Sequence, residues 1–469
     1  MTANSYLSKT PSASNRKTMT FSVWVKRALL GNNPIYTANT DISLDGNGYF
    51  VFDNDNTLHY RSWNGSSYDF ILVTNRKFTD LTSWYHIVVA QDTTQATDTN
   101  RIKIYVNGVQ ETSFSTSTYP SQNYDGYFNS NILHNVGRGN DAGIKYFNGS
   151  MAHFHFVDGT ALTPSTFGET DSTTGEWKPI LNPSVTYSSN GFFLKFESAG
   201  ALGTDSSGNS NTYTVNGDLK QSPDTPSNNF CQLDANQAYD KTHLRYGATA
   251  FLGTSTNARG VNSTQMVKNG KWYFEVKVET DRTTTNGATL GIVKNGTYAS
   301  SFFKAEGSTA VAGNSSSSNG AEGISYQPMT ATPNILDAGG GGTVNYGTQA
   351  SANDIIMCAF DLDNGKIWFG KNGTWFDAPS TSDAGDPANG NYEGLSFAKG
   401  DDFWGVTVTG VVNAADTANQ HMFCNFGNGH FGATAVASGN ADDNGVGSFE
   451  YDVPTGFYAI CTKNIKSYG

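Results

Sequence analysis

Residues Asp354 to Phe376 read DIIMCAFDLDNGKIWFGKNGTWF, and this stretch limits what the chain can fold into more than any other. β-favouring apolar residues run into Asn364-Gly365, the strongest short-range hairpin signal, because both residue types accept positive φ. A two-residue turn at that pair sets Leu362 opposite Ile367, Phe360 opposite Phe369 and Asp363 opposite Lys366. Apolar side chains then meet on one face and opposite charges meet beside the turn, a self-consistent register. A second turn at Asn372-Gly373 leads into Trp375 and Phe376.

The same grammar recurs along the chain. In Arg101 to Val106, Ile102, Ile104 and Val106 share one face, and Asn107-Gly108 follows as a turn. In Lys271 to Val278, Trp272, Phe274, Val276 and Val278 alternate with Tyr273, Glu275 and Lys277. No stretch carries a helical stripe. Strands at such short spacing imply an all-β protein made of antiparallel β-sandwiches rather than α/β units.

Composition agrees with that class. Charged residues are 15% of the 469 and aromatics 13%, with 51 glycines. A polar, turn-rich chain with this many aromatics can still bury a core. Its length suggests about two or three domains. A net charge of −12 excludes a nucleic-acid partner, which would need clustered Lys and Arg against phosphate. No apolar run is long enough to span a membrane, and the first residues, MTANSYLSKTPSASNRKTMT, lack the apolar segment of a signal peptide. Cys231, Cys358, Cys424 and Cys461 show no CxxC spacing, and three sit in apolar runs, so they read as buried free thiols made in a reducing compartment.

Two resemblances follow from ordered sets of motifs. TFSVWVKR, LTSWYHIVVAQD, IKIYVNGVQ and FNGSMAHFHFVDG, taken in order over residues 1 to 180, resemble a LamG or concanavalin A-like jelly roll. The segment GTALTPSTFGETDSTTGEWKP that follows resembles one found in phage and marine-microbe surface proteins. From residue 230 to 469, GKWYFEVKVE, IIMCAFDLDNGKIWFGKNG, CNFGNGHF and VPTGFYAICT resemble a SPRY domain, with a long insertion near 299–347. Residues 181–229 read as a bridge holding one strand, GFFLKFE, able to pair with the first sandwich. The resemblances imply two tandem sandwiches used for recognition.

Sugar hydrolysis needs two carboxylates about 5 to 9.5 Å apart. The Glu-x-Asp-x-Glu strand of the related hydrolases is absent, and Glu169, Asp171 and Glu176 have the wrong spacing, so the chain reads as non-enzymatic. His153 and His155 share a strand face without a third ligand, and His86 reads as a packed residue. Calcium is the expected cofactor if there is one. Its candidate ligands are Asp41, Asp45, Asp53 and Asp55 in one acidic cluster and Asp205, Asn209 and Asn211 in another, although Asx residues in such turns also serve the backbone. Glycan-binding candidates gather at two turns: Trp63, Asn64, Tyr68 and Asp69 in RSWNGSSYDF, and Tyr124 and Tyr127 beside Phe128 in NYDGYF. A flat ring covers a pyranose face while Asn64 and Asp69 bond its hydroxyls; the alternative is that these rings close the sandwich end.

Together these features point to a bacteriophage virion structural protein of the tail-fibre or receptor-binding type. It would be displayed on the virion surface, be a homo-oligomer, and bind host glycans or other virion proteins. The alternatives are an architectural decoration or adaptor protein, and a bacterial surface adhesin.

Overall fold

The computed structural model describes residues 5–39, 47–140, 144–172, 175–238, 241–252, 259–279, 288–295, 323–337, 342–410 and 421–469. Antiparallel strands dominate, and the α-helix among them is the short Thr462–Tyr468. No helix of the described residues is long and apolar enough to cross a membrane. The chain divides into two compact units, Met1–Gln221 and Ser222–Gly469.

The first unit is a two-sheet sandwich. One sheet has eight strands, in the order Phe114–Thr118, Tyr68–Lys77, Thr57–Trp63, Asn47–Phe52, Asn33–Ala38, His134–Val136, Tyr6–Lys9 and Thr214–Asn216. The other has six, in the order Phe192–Leu194, Gly149–Asp158, Thr18–Arg27, Tyr85–Asp92, Ile102–Val106 and Val109–Gln110. Alternation aims Phe21, Val23, Phe50, Tyr60, Ile87, Ile104, Phe154 and Phe156 into one shared core. Each such side chain contributes about 1.5–3 kcal/mol by leaving water. The segment after residue 180 is integral to this unit up to Gln221. Phe192–Leu194 pairs with Gly149–Asp158, and Thr214–Asn216 pairs with Tyr6–Lys9.

The outer face of the six-stranded sheet is covered as well. His153 and His155 do point away from Phe154 and Phe156, but His155 is buried beneath Phe167, Tyr187 and Phe193. Its Nδ1 bonds the Tyr187 hydroxyl at 2.7 Å, and its ring stacks on Phe193 at 3.9 Å. His86 lies between Trp24 (4.6 Å) and Trp177 (6.0 Å), bonded to the Ser22 hydroxyl and the Trp177 indole. His86 and His155 are packing residues: both ring nitrogens of His86 and Nδ1 of His155 bond partners within the protein.

In the second unit Lys271–Val278 is the middle strand of a nine-stranded sheet, between Ile355–Asp361 and His421–Asn425. Phe369 of this sheet stacks on Tyr326 of the facing six-stranded sheet at 5.1 Å. The other face is buried too, where Tyr273, Ala359 and Trp368 pack against Phe449, Phe457 and Ala459. All four cysteines are free and buried. Part of the 299–347 insertion forms strands of the six-stranded sheet, Gly323–Gln327, Asn334–Asp337 and Gly342–Asn345; residues 299–322 and 338–341 lie outside the described residues.

The central hairpin corrects the expected register by two residues, which leaves each side chain on its expected face. Asp361 pairs with Lys366, Phe360 with Ile367 and Cys358 with Phe369. The loop is therefore Leu362 to Gly365. Asp361 Oδ1 accepts the backbone N–H of Asp363 (2.9 Å) and of Asn364 (3.0 Å), and Oδ2 accepts the Asn364 amide (2.7 Å). An aspartate that satisfies two following N–H groups closes a wider turn than Asn-Gly alone. Gly365 keeps the positive φ, +63°, and a Cβ there would lie 2.1 Å from the Phe397 carbonyl oxygen.

Candidate functional site

Thr57–Trp63 and Tyr68–Lys77 are joined by a tight turn in which Asn64 N–H bonds the Ser67 carbonyl (3.0 Å) and Gly65 takes φ +98°. Ser62 pairs with Phe70, but Trp63 pairs with Tyr68, so Asp69 is an extra residue in the second strand. Such a bulge re-aims a side chain. Here it turns Asp69 toward its neighbours: Oδ1 accepts the Asn64 amide (2.8 Å) and Oδ2 accepts the Tyr124 hydroxyl (2.7 Å). Tyr124 also bonds the Ser62 hydroxyl at 2.8 Å. Burial pushes the Tyr124 hydroxyl well up, so it stays protonated and remains a donor to Asp69.

Trp63 meets Tyr68 edge-to-face at 4.9 Å, and Tyr68 is 42% exposed. Asn64 Oδ1 is spent on the N–H groups of Ser66 and Ser67. Five of the six glycan candidates (Trp63, Asn64, Tyr68, Asp69 and Tyr124) thus form one rim cluster, tied by Asp69. Tyr127 sits beside it, near the Tyr124 hydroxyl, and lines a gap with Tyr60, Ser62, Phe70 and Phe128 that has no room for a water. Ser62 and Arg61 are members that sequence reasoning missed. Arg61 stands over the rings of Tyr49 (5.3 Å) and Tyr68 (5.9 Å) and pairs with Asp53 at 3.3 Å. Both are visible only once the strand register is known.

The calcium candidates are arranged otherwise. Asp41 and Asp45 lie outside the described residues. Asp53 faces Arg61 and His59 (3.4 Å), and Asp55 accepts the N–H and hydroxyl of Thr57. Asp205 receives the N–H groups of Phe193, Ser207 and Asn211 and the Ser207 hydroxyl. Asn209 and Asn211 both donate to the Gly191 carbonyl. These residues staple a loop to the Phe192–Leu194 strand, the backbone service that Asx residues commonly perform. Among the described residues no group of three or more His, Cys, Asp or Glu could hold a metal ion. Of the carboxylates weighed for hydrolysis, Glu169 and Asp171 both face Lys178, at 3.5 and 3.1 Å.

Comparison with known proteins agrees with this architecture. Residues 2–167 match the model of the concanavalin A-like lectin/glucanases superfamily, and residues 271–385 match the SPRY domain. No curated protein matches the sequence. Among solved structures, the chain is similar to the SPRY domain of human HERC1, at 12% identity over 41% of this chain and 96% of that one, with a TM-score of 0.27. It is also similar to domains LG4-5 of the mouse laminin alpha1 chain (12% identity, 87% of this chain, 79% of that one, TM-score 0.27). A heptameric SAP-like pentraxin from Limulus polyphemus is similar too (15% identity, 34% and 73%, TM-score 0.26).

Proposed function

We propose that the protein is a non-enzymatic recognition protein of a bacteriophage particle surface, and that its first unit binds host glycans at the Trp63 rim. The supporting observation is the rim cluster itself. An aromatic pair with an exposed Tyr68 ring stands at a strand turn of the sandwich beside a carboxylate held by Asn64 and Tyr124. A ring of that kind stacks on the apolar face of a pyranose, and a fixed carboxylate accepts its hydroxyls. Two domains of recognition families in tandem support display rather than chemistry. The virion assignment rests on the resemblance of residues 159 to 179 to segments of phage surface proteins. The second reading, an architectural decoration or adaptor protein, is favoured only if the rim binds no sugar.

Trp63→Ala tests this. Glycan-array binding should weaken by about 1–3 kcal/mol, the loss of an aromatic anchor, while the melting temperature holds. Loss of both would make Trp63 a structural residue. Unchanged binding would remove the rim from the function.

A further inference from the structure

Resting on the sugar-binding reading, we propose that the Trp63 rim selects uncharged pyranoses, that Asp69 sets this selectivity, and that sugars bearing a carboxylate are rejected. Among the described residues each Asp69 oxygen has one protein donor, the Asn64 amide on Oδ1 and the Tyr124 hydroxyl on Oδ2. A carboxylate oxygen accepts two hydrogen bonds, so each keeps a direction for a ligand. Two acceptors on one planar group suit a pair of adjacent sugar hydroxyls, which can both donate.

Among the described residues, two arginines and two polar side chains near this rim that could welcome an anionic sugar are engaged elsewhere. Arg61 is 6% exposed, paired with Asp53 at 3.3 Å and covered by Tyr49 and Tyr68. Arg16, which reaches the Tyr124–Tyr127 loop, donates to the carbonyls of Gly126 (2.6 Å) and Asp125 (3.2 Å). The Asn64 amide is committed to Asp69 and Ser67, and the Ser66 hydroxyl donates to Asn64. Carboxylate recognition relies on a cationic fork or oriented donors. This rim instead presents an acceptor-only group held in place by its own donors.

The test uses the full-length protein on immobilised hexose oligosaccharides and the matching hexuronic acid forms, near pH 7. Hexose forms should bind at least ~10-fold better, because like charges a few ångströms apart repel. The gap should narrow from low salt to about 1 M, where screening acts within about 3 Å. Asp69→Asn keeps an oxygen for Asn64 and removes the charge. It should lose affinity for hexose and narrow the discrimination ~10-fold. Equal binding of both forms by the wild type would overturn the selectivity and leave the sugar reading intact. Unchanged discrimination in a folded Asp69→Asn protein would overturn the role of Asp69. Failure to bind any glycan would remove the sugar reading itself. If Asp69→Asn does not fold, the wild-type panel and its salt dependence decide alone.

Discussion

Glu275 shows what a residue can hide behind a pattern. Alternation in Lys271–Val278 assigns its direction correctly, opposite to Trp272, Phe274 and Val276, yet its face is not solvated. The side chain is fully buried. Oε1 accepts the Tyr273 hydroxyl and the N–H of Tyr451 (both 2.9 Å), while Oε2 accepts Asn425 (3.1 Å) and the N–H of Glu450 (3.0 Å). Three of those four partners come from 150 to 176 residues away, which is why a local pattern cannot reveal them. Each oxygen holds one backbone N–H, so Glu275→Gln must turn an amide against one of them. A donor left unpaired in the core costs about 1–3 kcal/mol. Chemical denaturation of Glu275→Gln should show that loss; an unchanged midpoint would mean that the 450–451 backbone finds other acceptors.

At the scale of elements, sequence pattern reached the strands and stopped at what ends them. The Lys366–Lys371 hairpin was legible from its apolar alternation, but its register was not. Asn364-Gly365 implies a two-residue turn, but the Asp361 carboxylate takes the Asp363 N–H that such a turn would give to Lys366, and the Asn364 N–H as well. Removing it tests this account: Asp361→Ala frees two N–H groups and one amide, and should cost about 1–3 kcal/mol. Leu362 is buried in that loop rather than opposite Ile367. Leu362→Asp should still unfold the second unit, since an unpaired carboxylate in a core costs several kcal/mol. The rim divides the same way. Trp63, Asn64 and Tyr68 were legible because Asn64-Gly65 marks their turn. The Asp69 bulge was not, because it is held by Tyr124, 55 residues on. Asp205 with Asn209 and Asn211 has the alternation of a calcium loop, yet its oxygens face backbone donors.

For the whole molecule, the buried titratable groups of the two units pull in opposite directions as pH falls. In the first unit burial lowers His86 to about 3 and His134 to about 4, and drives His155 far below its ordinary 6.5. Hydrogen bonding agrees: the Trp177 indole N–H donates to His86 Nδ1, and the Asn129 N–H donates to His134 Nε2, so each nitrogen that would take a proton already faces a donor. A base with a depressed folded pKa leaves stability intact above about pH 6.5 and removes it as pH falls toward the folded value. At pH 5 that amounts to about 2 kcal/mol per histidine. In the second unit burial raises Glu275 to about 7, against an ordinary 4.5. An acid with a raised folded pKa gives its full contribution below about 4.5 and loses it as pH rises through 7, a change of about 3 kcal/mol. Calorimetry of the full chain at pH 8 and pH 5 should therefore show one transition moving down and another holding or rising on acidification. Leu362→Asp identifies the second unit by deleting its transition, and Glu275→Gln should flatten that transition's pH dependence. If both transitions fall together, with no difference between wild type and Glu275→Gln, then Glu275 does not carry a raised pKa and its carboxylate is held ionised by its four donors.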